Sequence, residues 1–195
     1  MSEKEQMTEA DASKPDPGRL KKTVVMVGMM GAGKTAVGRA LAARLGVPFL
    51  DSDHEIEAAA NMTIPEIFAR DGEAFFRLKE RQVIARLLTE ECGVLSTGGG
   101  AFLAAENRET ITRNGASIWL QADLEVLWNR VRHRDTRPLL QTADPRATLA
   151  ELYQQRVPLY AKADIAVVSD GRASIEQMVD RVLLALQARP DVLES

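Results

Sequence analysis

Short apolar runs alternate along most of the chain with stretches whose apolar residues recur at helical spacing. Five of the runs have the length and composition of buried strands, and they cover residues 23–27, 47–50, 94–97, 116–120 and 165–168. Strands that alternate with helices form parallel βαβ units with right-handed crossovers. The pattern therefore predicts an α/β fold built around a parallel sheet.

The stretches between these runs predict the helices. One helix follows residue 35 and ends at Gly46. Two short helices are predicted near residues 56–60 and 64–68, and Thr63 with Glu66 has the pattern of a capping box for the second. Residues 71–73 interrupt the pattern before a longer helix. Further helices are predicted at about 104–113, from 124, at about 145–160 and at 175–186.

Length and charge narrow the classes of protein that the chain can belong to. A chain of 195 residues is long enough for one domain with a substantial core. Residues 1–19 lack a periodic apolar pattern and are predicted to be a disordered extension, which leaves 20–195 as the single domain. The net charge of −3 argues against general nucleic-acid binding. There is no apolar stretch of eighteen residues, so no membrane span is predicted.

The cysteine content bears on the compartment. Cys92 is the only cysteine, so no intrachain disulfide can form, which is typical of a reducing compartment. We expect a cytoplasmic monomer, with Cys92 as a small buried or half-buried residue rather than a nucleophile.

Residues 28–35 read GMMGAGKT and match the phosphate-binding pattern G-x-x-x-x-G-K-[ST]. The match follows a predicted strand and opens a predicted helix, which is the context that the motif requires. Its glycines let backbone N–H groups converge on an anion. Lys34 is expected at the β- and γ-phosphates, with the Thr35 hydroxyl on Mg²⁺. The pattern predicts nucleoside triphosphate binding by Gly31, Ala32, Gly33, Lys34, Thr35 and Ala36.

Two carboxylates follow the second predicted strand, on the ligand side of an open α/β sheet. The third strand ends without an aspartate, so Asp51 is the candidate second metal residue, directly or through water; the alternative is a helix cap. If the segment stays extended, Asp53 projects to the same side. There it could bind acceptor hydroxyls and take a proton, and its alternative role is the N-cap of the following helix.

Further polar and glycine positions have both a functional and an ordinary interpretation. Residues 98–100 are three glycines that follow the third strand. They could let an acceptor approach the backbone closely, or they could simply form a turn. Arg77 and Arg156 could be solvated charges on their helices. Alternatively, the two arginines could together bind an acceptor carboxylate. The basic segment 130–137 suits a mobile lid over phosphates better than a nucleic-acid patch. His54 and His133 lack a catalytic partner pattern and are expected near solvent.

Together these motifs resemble the shikimate kinase family. The resemblance runs from about residue 23 to 186 through the phosphate loop and the stretches 49–53, 76–77, 97–100, 137–140 and 156–160. It implies a three-layer P-loop kinase fold with helices on both faces of a five-stranded parallel sheet in the order 2-3-1-4-5. It also implies a shikimate-binding segment at about 53–91 and a lid at about 130–144. The implied reaction converts shikimate and ATP to shikimate 3-phosphate and ADP, towards chorismate and the aromatic amino acids.

The resemblance also assigns roles to residues. It implies that Lys34, Asp53 and Arg137 are catalytic. It implies that shikimate is bound by Asp53, Arg77, Gly99 and Arg156. Glu80 is expected to orient Arg77, while Arg130 and, more loosely, Arg172 are expected at the adenine. Thr35 and Asp51 are expected to bind Mg²⁺. Two rival interpretations remain, a kinase of the same fold acting on another acceptor such as gluconate, and a non-catalytic ATP-binding regulator.

Overall fold

The computed structural model describes residues 16–134 and 138–195. Its strands are β1 (Arg19–Leu20), β2 (Thr23–Val27), β3 (Phe49–Asp51), β4 (Val94–Ser96), β5 (Gly115–Ala122), β6 (Ile165–Ser169) and β7 (Leu193–Glu194). Its α-helices are α1 (Lys34–Leu45), α2 (Ser52–Ala60), α3 (Ile64–Glu90), α4 (Ala105–Asn114), α5 (Leu124–Val131), α6 (Pro145–Tyr160) and α7 (Ile175–Gln187). Two short 3₁₀ turns cover Ala101–Leu103 and Pro138–Leu140.

The central sheet is parallel and five-stranded, in the order β3-β4-β2-β5-β6. Counted over the five predicted strands this is 2-3-1-4-5, so the predicted order is confirmed. Every residue of the central strand β2 is buried, as expected for a strand with both faces covered. Helix α1 packs against α7, while α3 packs against α4. A Cβ on Gly38 would lie 3.0 Å from the Phe49 ring, so this glycine lets α1 lie close to the sheet.

The segment between β3 and β4 forms one wall of a cleft at the carboxyl ends of the strands. Thr63 and Glu66 make the predicted capping box at the start of α3. The predicted break near residues 71–73 is present as a kink, because Gly72 has φ 83° and ψ 172° inside α3. Beyond the kink, the second half of α3 turns Phe76, Val83 and Ile84 into the core. The kink therefore directs two helical segments to different parts of one cleft.

A small antiparallel pairing of β1 with β7, which we call the terminal clasp, joins the two ends of the domain. The side chains of Leu20 and Leu193 in this pairing are buried. The backbone N–H of Lys21 donates to the Val192 carbonyl at 2.7 Å. Arg19, the last residue of the predicted extension, already belongs to β1. The prediction of disorder for 1–15 falls outside the described residues.

The expectation for Cys92 is wrong, because its side chain is exposed. It lies in the connection between α3 and β4, where the chain turns at the surface. The Cys92 thiol donates a weak hydrogen bond to the Leu20 carbonyl at 3.6 Å. Both histidines are exposed as expected. Among residues 16–134 and 138–195, no helix has the length and hydropathy of a membrane span.

Candidate active site

A cleft of about 960 Å³ opens at the carboxyl ends of the strands. It is lined by most of the residues singled out from the sequence, namely Gly31, Ala32, Gly33, Lys34, Thr35, Ala36, Asp51, Asp53, Arg77, Gly99, Arg130 and Arg156. Arg172 is exposed and is not part of the lining; its backbone N–H donates to Asp170. Arg137 lies outside the described residues. Of the described residues for which the sequence predicted a role in the site, all but Arg172 line this one cleft.

The phosphate loop has the backbone shape that its glycines allow. Gly28, Gly31 and Gly33 have φ values of 144°, 82° and 95°, a region that residues with a Cβ rarely adopt. A Cβ on Gly31 would also lie 2.7 Å from a methyl group of Val131. Gly33 caps α1 without a side-chain hydrogen bond, so the first N–H groups of the helix face the cleft as an anion site.

Two cations hold the loop in place. The Lys34 ammonium donates to the carbonyls of Gly28 and Met29 at 2.8 and 3.1 Å, which places its charge at the centre of the loop. The Arg130 guanidinium donates to the Gly31 carbonyl at 3.0 Å and to the Ser169 hydroxyl at 3.2 Å. Arg130 thus links the loop to the end of β6.

Asp51 is the N-cap of α2, which was the alternative to its metal role. Its Oδ1 accepts from the backbone N–H groups of Asp53 at 2.9 Å and His54 at 3.2 Å. Both bonds end on one oxygen, and Asp51 still lines the cleft with Thr35. This donor set suits a single Mg²⁺ ion, which would be bound by the Thr35 hydroxyl, by phosphate oxygens and, through water, by the Asp51 carboxylate. No group of three or more His, Cys, Asp or Glu side chains gathers as an all-protein metal site in the described ranges.

Asp53 adopts neither of the two conformations that the sequence left open, the extended segment or the N-cap. The segment does not stay extended, because α2 begins at Ser52 and buries Ile56 against the core. Nor is Asp53 the cap, since Asp51 takes that role. Asp53 instead lies in the first turn of α2, and its carboxylate reaches the glycine turn: a Cβ on Gly98 would lie 3.0 Å from Oδ1.

The environment of Asp53 disfavours its charge. Burial is the main cause, followed by repulsion from Asp51 and Glu80, and together they raise the pKa of Asp53 to about 6. The Lys34 ammonium opposes the shift. A carboxylate with this pKa is ionised at neutral pH and is a stronger base than an ordinary aspartate.

Each of the three glycines at 98–100 faces a different charged side chain of the cleft. Gly98 faces Asp53, Gly99 lies 3.1 Å from the Arg156 guanidinium and Gly100 lies 2.6 Å from that of Arg77, measured from an ideal Cβ. A side chain at any of these positions would occupy space that a functional group now holds. The triple glycine is therefore more than a strand-to-helix turn, although it also opens the 3₁₀ turn Ala101–Leu103.

Arg77 has a buried partner. Its guanidinium donates to Glu80 at 2.9 Å, and the Glu80 side chain is only 2 % exposed. Burial raises the pKa of Glu80, while the adjacent Arg77 cation lowers it. Because the two residues are one helical turn apart and Glu80 is buried, the ion pair holds the Arg77 guanidinium towards the glycine turn. The sequence expectation that Glu80 orients Arg77 agrees with this geometry.

The sequence assigned no individual role to several residues in or directly behind the cleft. Tyr160 donates its hydroxyl to the Gly99 carbonyl at 2.6 Å. Phe68, 37 % exposed, and Leu139, 52 % exposed, add apolar surface to the lining. Two signals for the tyrosine were available. It ends the stretch 156–160 that carries the family resemblance, and its i, i+4 spacing from Arg156 places both side chains on one helix face. Leu139 belongs to the stretch 137–140 that carries the family resemblance, whereas Phe68 was placed only in a predicted helix.

A phosphate loop beside a carboxylate and two arginines, on a five-stranded parallel sheet, defines a P-loop kinase for a small anionic acceptor. A family model described as shikimate kinase matches residues 30–187. The chain is 75 % identical over 175 residues to the shikimate kinase of Ruegeria pomeroyi, with 90 % of each chain covered. It is 67 % identical to that of Cereibacter sphaeroides over 91 % of this chain and 88 % of the relative. The chain belongs to the shikimate kinase family.

Solved structures agree with this assignment. The shikimate kinase of Acinetobacter baumannii, in complex with shikimate, superposes with a TM-score of 0.79 at 39 % identity, over 86 % of this chain and 94 % of that one. The shikimate kinase of Aquifex aeolicus gives a TM-score of 0.75 at 34 % identity, over 85 % and 96 %. A gluconokinase of Sinorhizobium meliloti, at 21 % identity and a TM-score of 0.57 over 87 % and 94 %, shares the fold alone.

Proposed function

We propose that this cleft transfers the terminal phosphoryl group of ATP to the 3-hydroxyl of shikimate, which gives shikimate 3-phosphate and ADP on the route to chorismate. One observation carries the proposal. Asp53, Arg77 and Arg156 converge on one glycine turn, in the same cleft as Lys34. Shikimate has a carboxylate and three hydroxyls, and this constellation has a partner for each kind of group.

Arg77 and Arg156 bind the acceptor carboxylate. Both guanidinium groups lie against the glycine turn, one facing Gly100 and the other Gly99. Two guanidinium groups on one carboxylate make charge-assisted hydrogen bonds with defined geometry. The buried Glu80 limits the orientations open to Arg77. The acceptor is therefore held at its anionic end, which leaves its ring hydroxyls towards Asp53.

Asp53 takes the proton of the attacking hydroxyl. Its raised pKa leaves it ionised at pH 7 to 8 while it remains an effective acceptor. A hydroxyl held by this carboxylate is also oriented for in-line attack, and orientation is the larger contribution in phosphoryl transfer.

The other residues of the cleft bind the nucleotide. The N–H groups of the loop and Lys34 hold the β- and γ-phosphates, and Arg130 lies on the nucleotide side beside Ser169. Arg137 of the lid is proposed to approach the transferred phosphate, and Arg172 to approach the adenine. Thr35 and Asp51 would hold Mg²⁺, the latter through water, and the ion supplies charge neutralisation across the β- and γ-phosphates.

The test is an ADP-release assay with a panel of acceptors: shikimate, quinate, gluconate and nucleoside monophosphates. We expect turnover with shikimate that exceeds the others, and loss of that turnover in Lys34→Ala. Turnover with gluconate but not shikimate would assign the cleft to another acid. ATP hydrolysis that no acceptor stimulates would support the ATP-binding regulator instead.

We further propose that the enzyme acts as a cytoplasmic monomer. The described residues proposed to bind the acceptor and the phosphates all lie in one cleft of a single chain. Light scattering at working concentrations tests this, and a stable dimer would contradict it.

A further inference from the structure

Tyr160 is the largest fully buried side chain of the domain as described, and it lies directly behind the acceptor pocket. It ends α6, one turn after Arg156, so both side chains lie on the same helix face. Its ring packs against Phe102 and Trp119, with ring centroids 6.5 and 6.4 Å away. These neighbours come from the glycine-turn side and from the central sheet, and they fix the position of the ring.

The Tyr160 hydroxyl holds the middle of the glycine turn. It donates to the Gly99 carbonyl at 2.6 Å. The carbonyls on either side have backbone partners, since Gly98 accepts from Ala101 and Gly100 accepts from Leu103. The Gly99 carbonyl is thus the one in the turn that a side chain holds. Because the flanking residues lack side chains, this bond is the main restraint on the Gly99 peptide.

Arg156 lies near the same phenol, since an ideal Cβ on Gly99 would be 3.1 Å from the Arg156 guanidinium and 3.8 Å from the Tyr160 hydroxyl. Burial raises the pKa of the Tyr160 phenol, and Arg156 opposes the shift both by its charge and as a hydrogen-bond partner. The phenol therefore stays protonated at neutral pH and remains a donor. One buried hydroxyl therefore holds the Gly99 peptide and lies beside the Arg156 guanidinium at the carboxylate end of the pocket.

We propose that Tyr160 is a positioning residue for the acceptor, which fixes the Gly99 peptide and the Arg156 guanidinium in the geometry that receives the carboxylate. The inference rests on the proposed function, because it assumes that Arg156 binds this carboxylate. A restrained guanidinium loses less conformational freedom when the acceptor binds. Tyr160 therefore contributes to acceptor affinity without touching the acceptor or the nucleotide.

Tyr160→Phe keeps the buried ring and removes the hydroxyl alone. We expect the KM for shikimate to rise about fivefold to tenfold, which is the effect of one lost hydrogen bond. The KM for ATP and kcat should stay within about twofold of wild type. Tyr153→Phe is the matched control, since Tyr153 lies on the same helix, packs against the core and is not part of the cleft lining. It should change neither KM.

A double-mutant cycle with Arg156→Lys tests whether the effect passes through Arg156. Coupled residues give non-additive penalties, so Tyr160→Phe should add less than about twofold to the KM of Arg156→Lys. Fully additive penalties would overturn the route through Arg156. A lower Tm with both KM values unchanged, or equal increases in both, would reduce Tyr160 to a structural role and overturn the inference. If wild type fails to turn over shikimate at all, the proposed function fails instead.

Discussion

Replacing Asp53 by asparagine should stabilise the protein while it removes activity. Asparagine is nearly isosteric with aspartate and carries no charge. In the folded state the pKa of Asp53 is raised from 3.8 to about 6, chiefly by burial and by Asp51. The ionised carboxylate is therefore less favourable in the folded chain than in the unfolded chain at neutral pH. Removing the charge removes this cost.

The magnitude and the sign follow from linkage. A raised folded-state pKa means that the protonated Asp53 stabilises the fold fully below pH 3.8, and that this contribution is lost as the pH rises through about 6. A shift of about two units corresponds to about 3 kcal/mol at pH 8 as an upper bound. Because the carboxylate is only half-buried, solvent screening reduces this to about 1–2 kcal/mol. At pH 5 the advantage of the variant should be about half of its value at pH 8.

The assay is urea unfolding of wild type and Asp53→Asn at pH 5 and pH 8. Asp71→Asn is the control, because Asp71 is not part of the cleft lining and its contact with Arg70 is a long ion pair of 3.9 Å. The control should change the free energy of unfolding by less than about 0.5 kcal/mol. A variant that is no more stable than wild type at pH 8, or an advantage that does not shrink at pH 5, would refute the reasoning.

The pKa of Asp53 should also determine how activity depends on pH. If Asp53 is the base, kcat/KM for shikimate should fall tenfold per unit below about pH 6. Asp53→Asn should lose about a hundredfold or more in kcat, keep its affinity for ATP and lack this acid limb. A wild-type profile that is flat from pH 5 to 8 would exclude Asp53 as the group that must be ionised.

Three further outcomes test other parts of the molecule. Lys34→Ala should lower kcat by about a thousandfold with little change in Tm, measured by ADP release and thermal melting; near-normal turnover would refute the loop assignment. Gly100→Ala should raise the KM for shikimate about tenfold, because a Cβ would lie 2.6 Å from Arg77; an unchanged KM would mean that Arg77 is free to move. Deleting residues 1–15 should leave Tm unchanged, whereas deleting 1–20 removes half of the terminal clasp and should lower Tm by several degrees; equal melting would show that the clasp adds no stability.

The sheet could be predicted from the sequence because its strands are buried on both faces. Such strands appear as continuous apolar runs, and β2 is the clearest example. The phosphate loop could be predicted as well, since its chemistry depends on residues that are close in sequence. The break in α3 followed from Gly72, whose φ of 83° belongs to glycine.

Features that depend on tertiary packing could not be predicted. Asp51 and Asp53 are both good caps, and the choice between them was decided by where α2 begins so that Ile56 can reach the core. The bond from Tyr160 to Gly99 joins residues 61 apart in the chain, with no local signal. The terminal clasp pairs two-residue strands from the two ends of the domain, which are too short for a periodic pattern.

The most direct test of the central claim is a crystal structure of this chain with bound shikimate. Our account predicts the carboxylate of shikimate between the guanidinium groups of Arg77 and Arg156, beside Gly99, and the 3-hydroxyl within hydrogen-bond distance of Asp53 and directed towards Lys34. Shikimate bound with its carboxylate away from both arginines, or with Asp53 turned out of the cleft, would contradict it.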